Sequence, residues 1–277
     1  MVYNSPNKIV TAKQKRLSIV DIKKTQTPLV CLTAYTAFSA KIIDNYCDII
    51  LVGDSLGMVV YGLESTLAVT LDMMINHGKA VVNATKKSLV VVDMPFSSYE
   101  ESPQQAFNNA AKIMQETNCN AVKLEGGEHM APTIEFLTRR GIPVMAHIGL
   151  TPQAINIMGG FKVQGRGEAC AQQIKKDLKA VEEAGSFSVV IEAVVESLAR
   201  ELTAMSSIAT IGIGASNSCD GQILVTEDML GHFEKVPKFV RTYADFSTQM
   251  HKAFAQYRTD VHNRKFPNSG EVYVSAK

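Results

Sequence analysis

Charge of one sign is nearly absent from this chain as a surplus: 28 Lys and Arg face 27 Asp and Glu, for a formal net charge of +1. That balance leaves no footprint for nucleic acid or an anionic membrane surface and points to small-molecule partners. Long apolar runs are missing too. None approaches the ~20 residues of a membrane span, and the opening stretch MVYNSPNKIV lacks the charged-then-apolar pattern of a secretory signal. Paired cysteines are the third absence. Cys31, Cys47, Cys119, Cys170 and Cys219 are odd in number, scattered and never spaced as CxxC. The expectation is reduced, packed thiols in a cytoplasmic protein. No internal repeat, low-complexity tract or interdomain linker interrupts the 277 residues.

What is present is a regular alternation. Short β-branched runs at 28–33, 48–52, 89–92, 121–124, 143–146, 188–191, 208–213 and, more weakly, 222–225 read as buried parallel strands. Helix-length segments lie between them at 37–45, 71–87, 102–117, 130–140, 168–184 and 196–205. Gly141 and Gly185 fall just after two of these, where a left-handed cap residue is expected. Seven or eight βα units in a chain of this length favour a single closed (β/α)8 barrel, which typically takes about 250 residues. Apolar residues at helical spacing from Val236 to Val261 predict a long amphipathic helix over about 236–263, followed by a short tail.

Six polar residues sit at the far ends of these runs: Asp54, Asp93, Lys123, Glu125, His147 and Glu192. Singly, each has an ordinary structural explanation. Asp54 and Asp93 precede turns, Lys123 and Glu125 could form an ion pair on one strand face, and His147 could be a hydrogen-bonded core residue. Together they mark the carboxyl ends of barrel strands, where residues remote in sequence converge on one mouth. A set of carboxylates without a Cys or His cluster selects a hard cation such as Mg²⁺ over zinc. Such an ion could hold a 2-oxo acid and stabilise an enolate while Glu192, set among apolar residues, removes the adjacent proton.

The stretches LVGDSLGM (51–58), DMPF (93–96), VKLEGG (122–127), HIGLTPQ (147–153), GGFKVQGR (159–166), DGQ (220–222) and PKFVR (237–241) resemble ketopantoate hydroxymethyltransferase, in order, from about residue 33 to 267. The resemblance implies a TIM barrel of the phosphoenolpyruvate/pyruvate-utilising superfamily, a homodecamer, Mg²⁺ as the ion, and a place in pantothenate biosynthesis. It implies hydroxymethyl transfer from 5,10-methylenetetrahydrofolate to 3-methyl-2-oxobutanoate. Residue by residue, Asp54 and Asp93 match metal ligands, and Glu125 matches a carboxylate that reaches the metal directly or through water. Ser55, Lys123 and His147 match substrate-pocket residues, with Asp54 and Asp93 beside the same substrate, and Glu192 matches the proton acceptor.

Four positions depart from the family's usual pattern: Thr36 for Asp, and Ala146, Ser97 and Ser216 for Gly. Ser216 is the one expected to disturb its loop, if the glycine served a positive φ. The run Gly212 to Asn217 lacks the third glycine of a dinucleotide fingerprint and is expected to be a turn after the seventh strand. The glycine-rich segment 158–167 is a candidate loop over the folate. Remaining alternatives are a Mg²⁺-dependent lyase acting on a 2-oxo acid, for which no Lys-Lys-Cys-Gly motif occurs, a Schiff-base aldolase using Lys123, and a noncatalytic oxo-acid-binding scaffold.

Overall fold

The computed structural model describes residues 18–275. Eight parallel strands close into a barrel in chain order: β1 (Leu29–Thr33), β2 (Ile49–Val52), β3 (Leu89–Asp93), β4 (Ala121–Glu125), β5 (Val144–Gly149), β6 (Ser188–Glu192), β7 (Ala209–Ile213) and β8 (Gly221–Leu224). β8 pairs with β1 to complete the ring. Every strand expected from the sequence is present, with ends displaced by up to three residues.

The pleat sorts the strand side chains into two cores. Ile49, Leu51, Leu89, Val91, Ala121, Met145, Val190 and Ile211 cluster inside the barrel. Their alternates Ile50, Val52, Val90, Val92, Val122, Val144, Val189 and Ile191 pack outward against the helices. Burial of each such side chain stabilises by about 1.5–3 kcal/mol. The same alternation positions the chemistry. Continuing the inward register by two residues from Val91, Ala121, Met145 and Val190 gives Asp93, Lys123, His147 and Glu192, and one further step on β4 gives Glu125. The polar residues are therefore the topmost inward layers of the barrel.

The surrounding helices match their sequence signals. Thr70 caps Leu71–Ala84 through Met73 N–H, Ser102 caps Pro103–Thr117 through Gln105 N–H, and Thr36 caps Ala37–Ile43 through Ser39 N–H. Thr36 thus fills an N-cap role that Asp also fills. Gly141 and Gly185 take the left-handed conformation expected of them. Ser216 does not. The positive φ belongs to Ser97, at +68°, so the glycine common there in the family answers a backbone demand that this chain meets with serine.

At the amino-terminal end of the strands a cavity of about 500 Å³ is lined by Ile19, Ile22, Pro143, Phe187 and Ile208, with Lys23 among its few polar groups. Lys23 is ion-paired to Asp220 at 2.7 Å. It lies at the opposite end from the polar layer.

A second compact unit begins at Thr226. Its main element is the helix Phe246–His262, shorter than the 236–263 the apolar spacing predicts. Asp245 explains the start, since its carboxylate accepts from Thr248 N–H at 3.1 Å. Val236, Phe239, Val240 and Tyr243 lie outside the helix, beside Pro237, which lacks the N–H a helix interior uses. Phe246, Met250, Phe254, Tyr257 and Val261 keep the apolar stripe along it, all of them partly exposed.

Candidate active site

β3, β4 and β5 bring three of the polar side chains into one buried chain of contacts. Lys123 Nζ lies 3.0 Å from Asp93 Oδ1, with both side chains almost fully buried. Asp93 Oδ1 has this cation as its ion-pair partner but no aligned hydrogen bond. Lys123 Nζ is also 3.2 Å from His147 Nδ1. His147 Nε2 reaches Glu192 Oε2 at 3.2 Å, close but without the alignment of a formed hydrogen bond, and Nδ1 is 3.5 Å from Glu125 Oε1. The strand register makes these meetings possible: Asp93 is opposite Lys123, Glu125 is opposite His147, and Gly149 is opposite Glu192.

Asp54 and Ser55 arrive from the loop after β2. Asp54 N–H donates to Asp93 Oδ2 at 3.0 Å, and Ser55 Oγ is hydrogen-bonded to Tyr35 Oη at 2.8 Å. Gly53 leaves room for the Ser55 hydroxyl, because a Cβ at that position would stand 2.9 Å from Ser55 Oγ. Asp54 is not a side-chain cap; the short helix Leu56–Val59 that follows begins without one.

The electrostatics follow from burial and crowding. Burial pushes the Asp93 carboxyl up; Lys123 opposes this and Asp54 adds to it. Burial likewise holds Glu125 well above the usual carboxylate range, opposed by Lys123 and reinforced by Asp54 and Asp93. For Lys123 burial acts downward, yet the charges of Asp93, Glu125 and Asp54 prevail and hold its ammonium above the ordinary lysine range. A lysine kept protonated is a poor Schiff-base nucleophile. His147 is held low by burial and by the Lys123 charge, with Glu192 pulling the other way.

Glu192 differs from its neighbours in access. Its side chain is 16% exposed, whereas those of Asp93, Lys123, Glu125 and His147 are 4% exposed or less. Its neighbours Ile191 and Val194 pack outward, and the carboxylate is left open to the barrel mouth. The cysteines take no part in this cluster. All five are free, and burial raises the thiols of Cys31, Cys47 and Cys119 away from the reactive thiolate form.

Tyr35, Tyr99 and Gln153 belong to the site although the sequence reading assigned them no role. Gln153 Nε2 donates to Asp54 Oδ2 at 2.9 Å, and its backbone N–H donates to Glu125 Oε2 at 2.9 Å. Only the HIGLTPQ stretch hinted at it. Next to this cluster, and sharing Tyr99, Glu125 and Gln153 with it, opens a cleft of about 660 Å³ whose wall includes Phe96, Ile148 and Met158. Gln164, from the glycine-rich segment 158–167, also borders it.

The oxygen-rich donor set suits a hard cation. Among the described residues no three acidic, His or Cys side chains form a ready cage. Mg²⁺ does not require one, since it is usually held by one or two carboxylates with water and substrate oxygens completing the shell. Asp54 and Asp93, mutually repelling and buried with the unaligned Oδ1 of Asp93 between charges, fit that requirement.

A closed parallel barrel with acidic, lysine and histidine side chains at the carboxyl ends of its strands defines the class as a TIM-barrel enzyme. Two solved structures share the fold. A phosphonopyruvate hydrolase in complex with oxalate and Mg²⁺ has a TM-score of 0.59 at 12% identity, covering 91% of each chain. A 2,3-dimethylmalate lyase described as a PEP mutase/isocitrate lyase superfamily member has a TM-score of 0.51 at 13% identity, covering 90% of this chain and 86% of its own. At these identities the likeness is one of fold. The family model for ketopantoate hydroxymethyltransferase matches residues 13–269, and the chain belongs to that family. A 3-methyl-2-oxobutanoate hydroxymethyltransferase of Bartonella quintana (strain Toulouse) is 62% identical over 261 residues, 94% of this chain and 95% of that protein.

Proposed function

We propose that this chain transfers a hydroxymethyl group from 5,10-methylenetetrahydrofolate to 3-methyl-2-oxobutanoate, giving 2-dehydropantoate in pantothenate biosynthesis. The observation that carries the reading is the graded exposure of one polar layer: Glu192 open at the mouth, joined through His147 to the buried Lys123 and Asp93. Membership of the family supplies the reaction.

In this reading Glu192 takes the proton from C3 of the oxo acid, and the electron pair left behind forms the new C–C bond to the donor's one-carbon unit; the two C–N bonds that held this carbon to the folate break, water supplies the hydroxyl oxygen, and tetrahydrofolate leaves. General-base catalysis of this kind contributes about 10²–10⁴-fold. His147 orients Glu192. Its Nδ1 faces the Lys123 ammonium, which has donors and no acceptor, so Nδ1 accepts and Nε2 carries the hydrogen toward Glu192. Ser55 holds the substrate carboxylate with its hydroxyl or N–H, steadied by Tyr35. Lys123 neutralises charge on the substrate oxygens, beside Asp54 and Asp93. The adjoining cleft of about 660 Å³ is the space assigned to the folate.

Asp54 and Asp93 are the residues that would hold Mg²⁺, with Glu125 contributing directly or through water. When bound, the ion would supply positive charge where negative charge builds on the oxo-acid oxygens. The homodecamer and the cytoplasmic setting implied by the family belong to the same proposal. For the described residues, no helix is long and apolar enough to cross a membrane.

The test is product formation. Purified chain with Mg²⁺, 3-methyl-2-oxobutanoate and methylenetetrahydrofolate should yield 2-dehydropantoate, and omission of the folate should abolish it. Cleavage of the oxo acid without a one-carbon donor would favour a lyase instead.

A further inference from the structure

We infer that Gln153 is a positioning residue of this site, one that selects which oxygens of Asp54 and Glu125 are left for ligands. The inference rests on the proposed placement of those two carboxylates in the active site.

Gln153 is 6% exposed and stands in the middle of the 3-10 turn Pro152–Ala154, after β5. Every polar group of its amide is used. Nε2 donates to Asp54 Oδ2 and to the carbonyl oxygen of Met94, both at 2.9 Å. Oε1 accepts from Tyr99 Oη at 2.5 Å. The orientation of the amide is determined by these partners, because a backbone carbonyl can only accept and must face the NH₂. Tyr99 Oη, having given its hydrogen to Gln153, accepts from Glu125 N–H at 3.2 Å. The circuit closes through Gln153 N–H, which donates to Glu125 Oε2 at 2.9 Å.

One residue therefore ties the loop after β2, the end of β3 and the end of β4 to the loop after β5. On Asp54 it occupies Oδ2 and leaves Oδ1 untethered; on Glu125 it occupies Oε2 and leaves Oε1 toward His147. Loss of the amide would let the Asp54 carboxylate rotate and would strand the Met94 carbonyl and Tyr99 hydroxyl in a buried space. Partners of this kind, which orient a ligating carboxylate without touching the ion, typically change metal affinity 10–100-fold when removed.

The experiment compares wild type with Gln153→Leu and Tyr99→Phe, using Mn²⁺ alone as the probe. Free Mn²⁺ is measured by EPR on the full chain, alongside thermal unfolding and the kcat and KM for the oxo acid. Gln153→Leu is expected to weaken Mn²⁺ binding by about tenfold or more and to lower kcat. Tyr99→Phe, which removes the hydroxyl that donates to Gln153 Oε1 and accepts from Glu125 N–H, is expected to weaken Mn²⁺ less, in the same direction. If Gln153→Leu fails to fold, Tyr99→Phe decides alone. Variants that lose thermal stability while their folded fraction binds Mn²⁺ as wild type does would overturn the inference and leave the metal site standing. Wild type that binds no Mn²⁺ would overturn the metal reading, and this inference with it.

Discussion

His147 is held between opposite demands. Burial and the Lys123 ammonium keep its ring neutral, while Glu192 favours a proton on it. Because Nδ1 faces a pure donor, the neutral ring should carry its hydrogen on Nε2. ¹⁵N NMR of the histidine side chains near neutral pH should show this tautomer for His147, and Lys123→Met should weaken the preference. An Nδ1–H ring or an imidazolium in the wild type would contradict the arrangement. Individual roles were legible in the sequence to the extent that a residue type stood out against its strand, as Lys123 did in AVKLE and Glu192 did after SVVI. Tyr99 and Gln153 carried no such signal, because a buried tyrosine or glutamine reveals its function only through partners that sit 26 to 99 positions away.

At the scale of elements, β5 and β6 are brought together by a glycine. Gly149 ends β5 with φ at +90°, and a Cβ there would stand 2.4 Å from the carbonyl oxygen of Glu192. Gly149→Ala therefore both strains the backbone, at about 1–3 kcal/mol, and pushes on the strand that presents Glu192. Turnover should fall sharply, with a measurable loss of thermal stability; wild-type kinetics would show that β6 accommodates the methyl group. All eight strands were legible as β-branched runs, but several ends were set short of their true position. Asp93, Glu125 and Glu192 close β3, β4 and β6, and His147 lies within β5, whereas polarity marked each of them as outside. In the helix Phe246–His262 the opposite error occurred: apolar spacing ran through Pro237 and past the Asp245 cap, which set the real boundary.

For the molecule as a whole, the buried acidic layer couples stability to pH. The folded-state pKa of Asp93 is raised, to about 7, and Glu125 is raised as well, chiefly by burial. Both folded-state values exceed the unfolded ones of about 4, so the folded chain binds more protons than the unfolded chain in that window. Their contribution is fully present below about pH 4 and is lost as pH rises from about 4 through about 7. A divalent cation offsets the repulsion among the ionised carboxylates, so the increase in Tm on adding Mg²⁺ should be larger near pH 8 than near pH 5. An increment that shrinks with rising pH would contradict this account. The barrel itself was readable from alternation and length, since eight short apolar runs separated by helices admit few other closures.

The most direct test of the central claim is exchange of the C3 hydrogen of 3-methyl-2-oxobutanoate with D₂O, followed by ¹H NMR in the presence of Mg²⁺ and without the folate co-substrate, for wild type and Glu192→Gln. Wild type should exchange this hydrogen, and the variant should do so at least about a hundredfold more slowly while binding the oxo acid nearly as well. Exchange that proceeds equally fast in Glu192→Gln would contradict the assignment of Glu192 as the base.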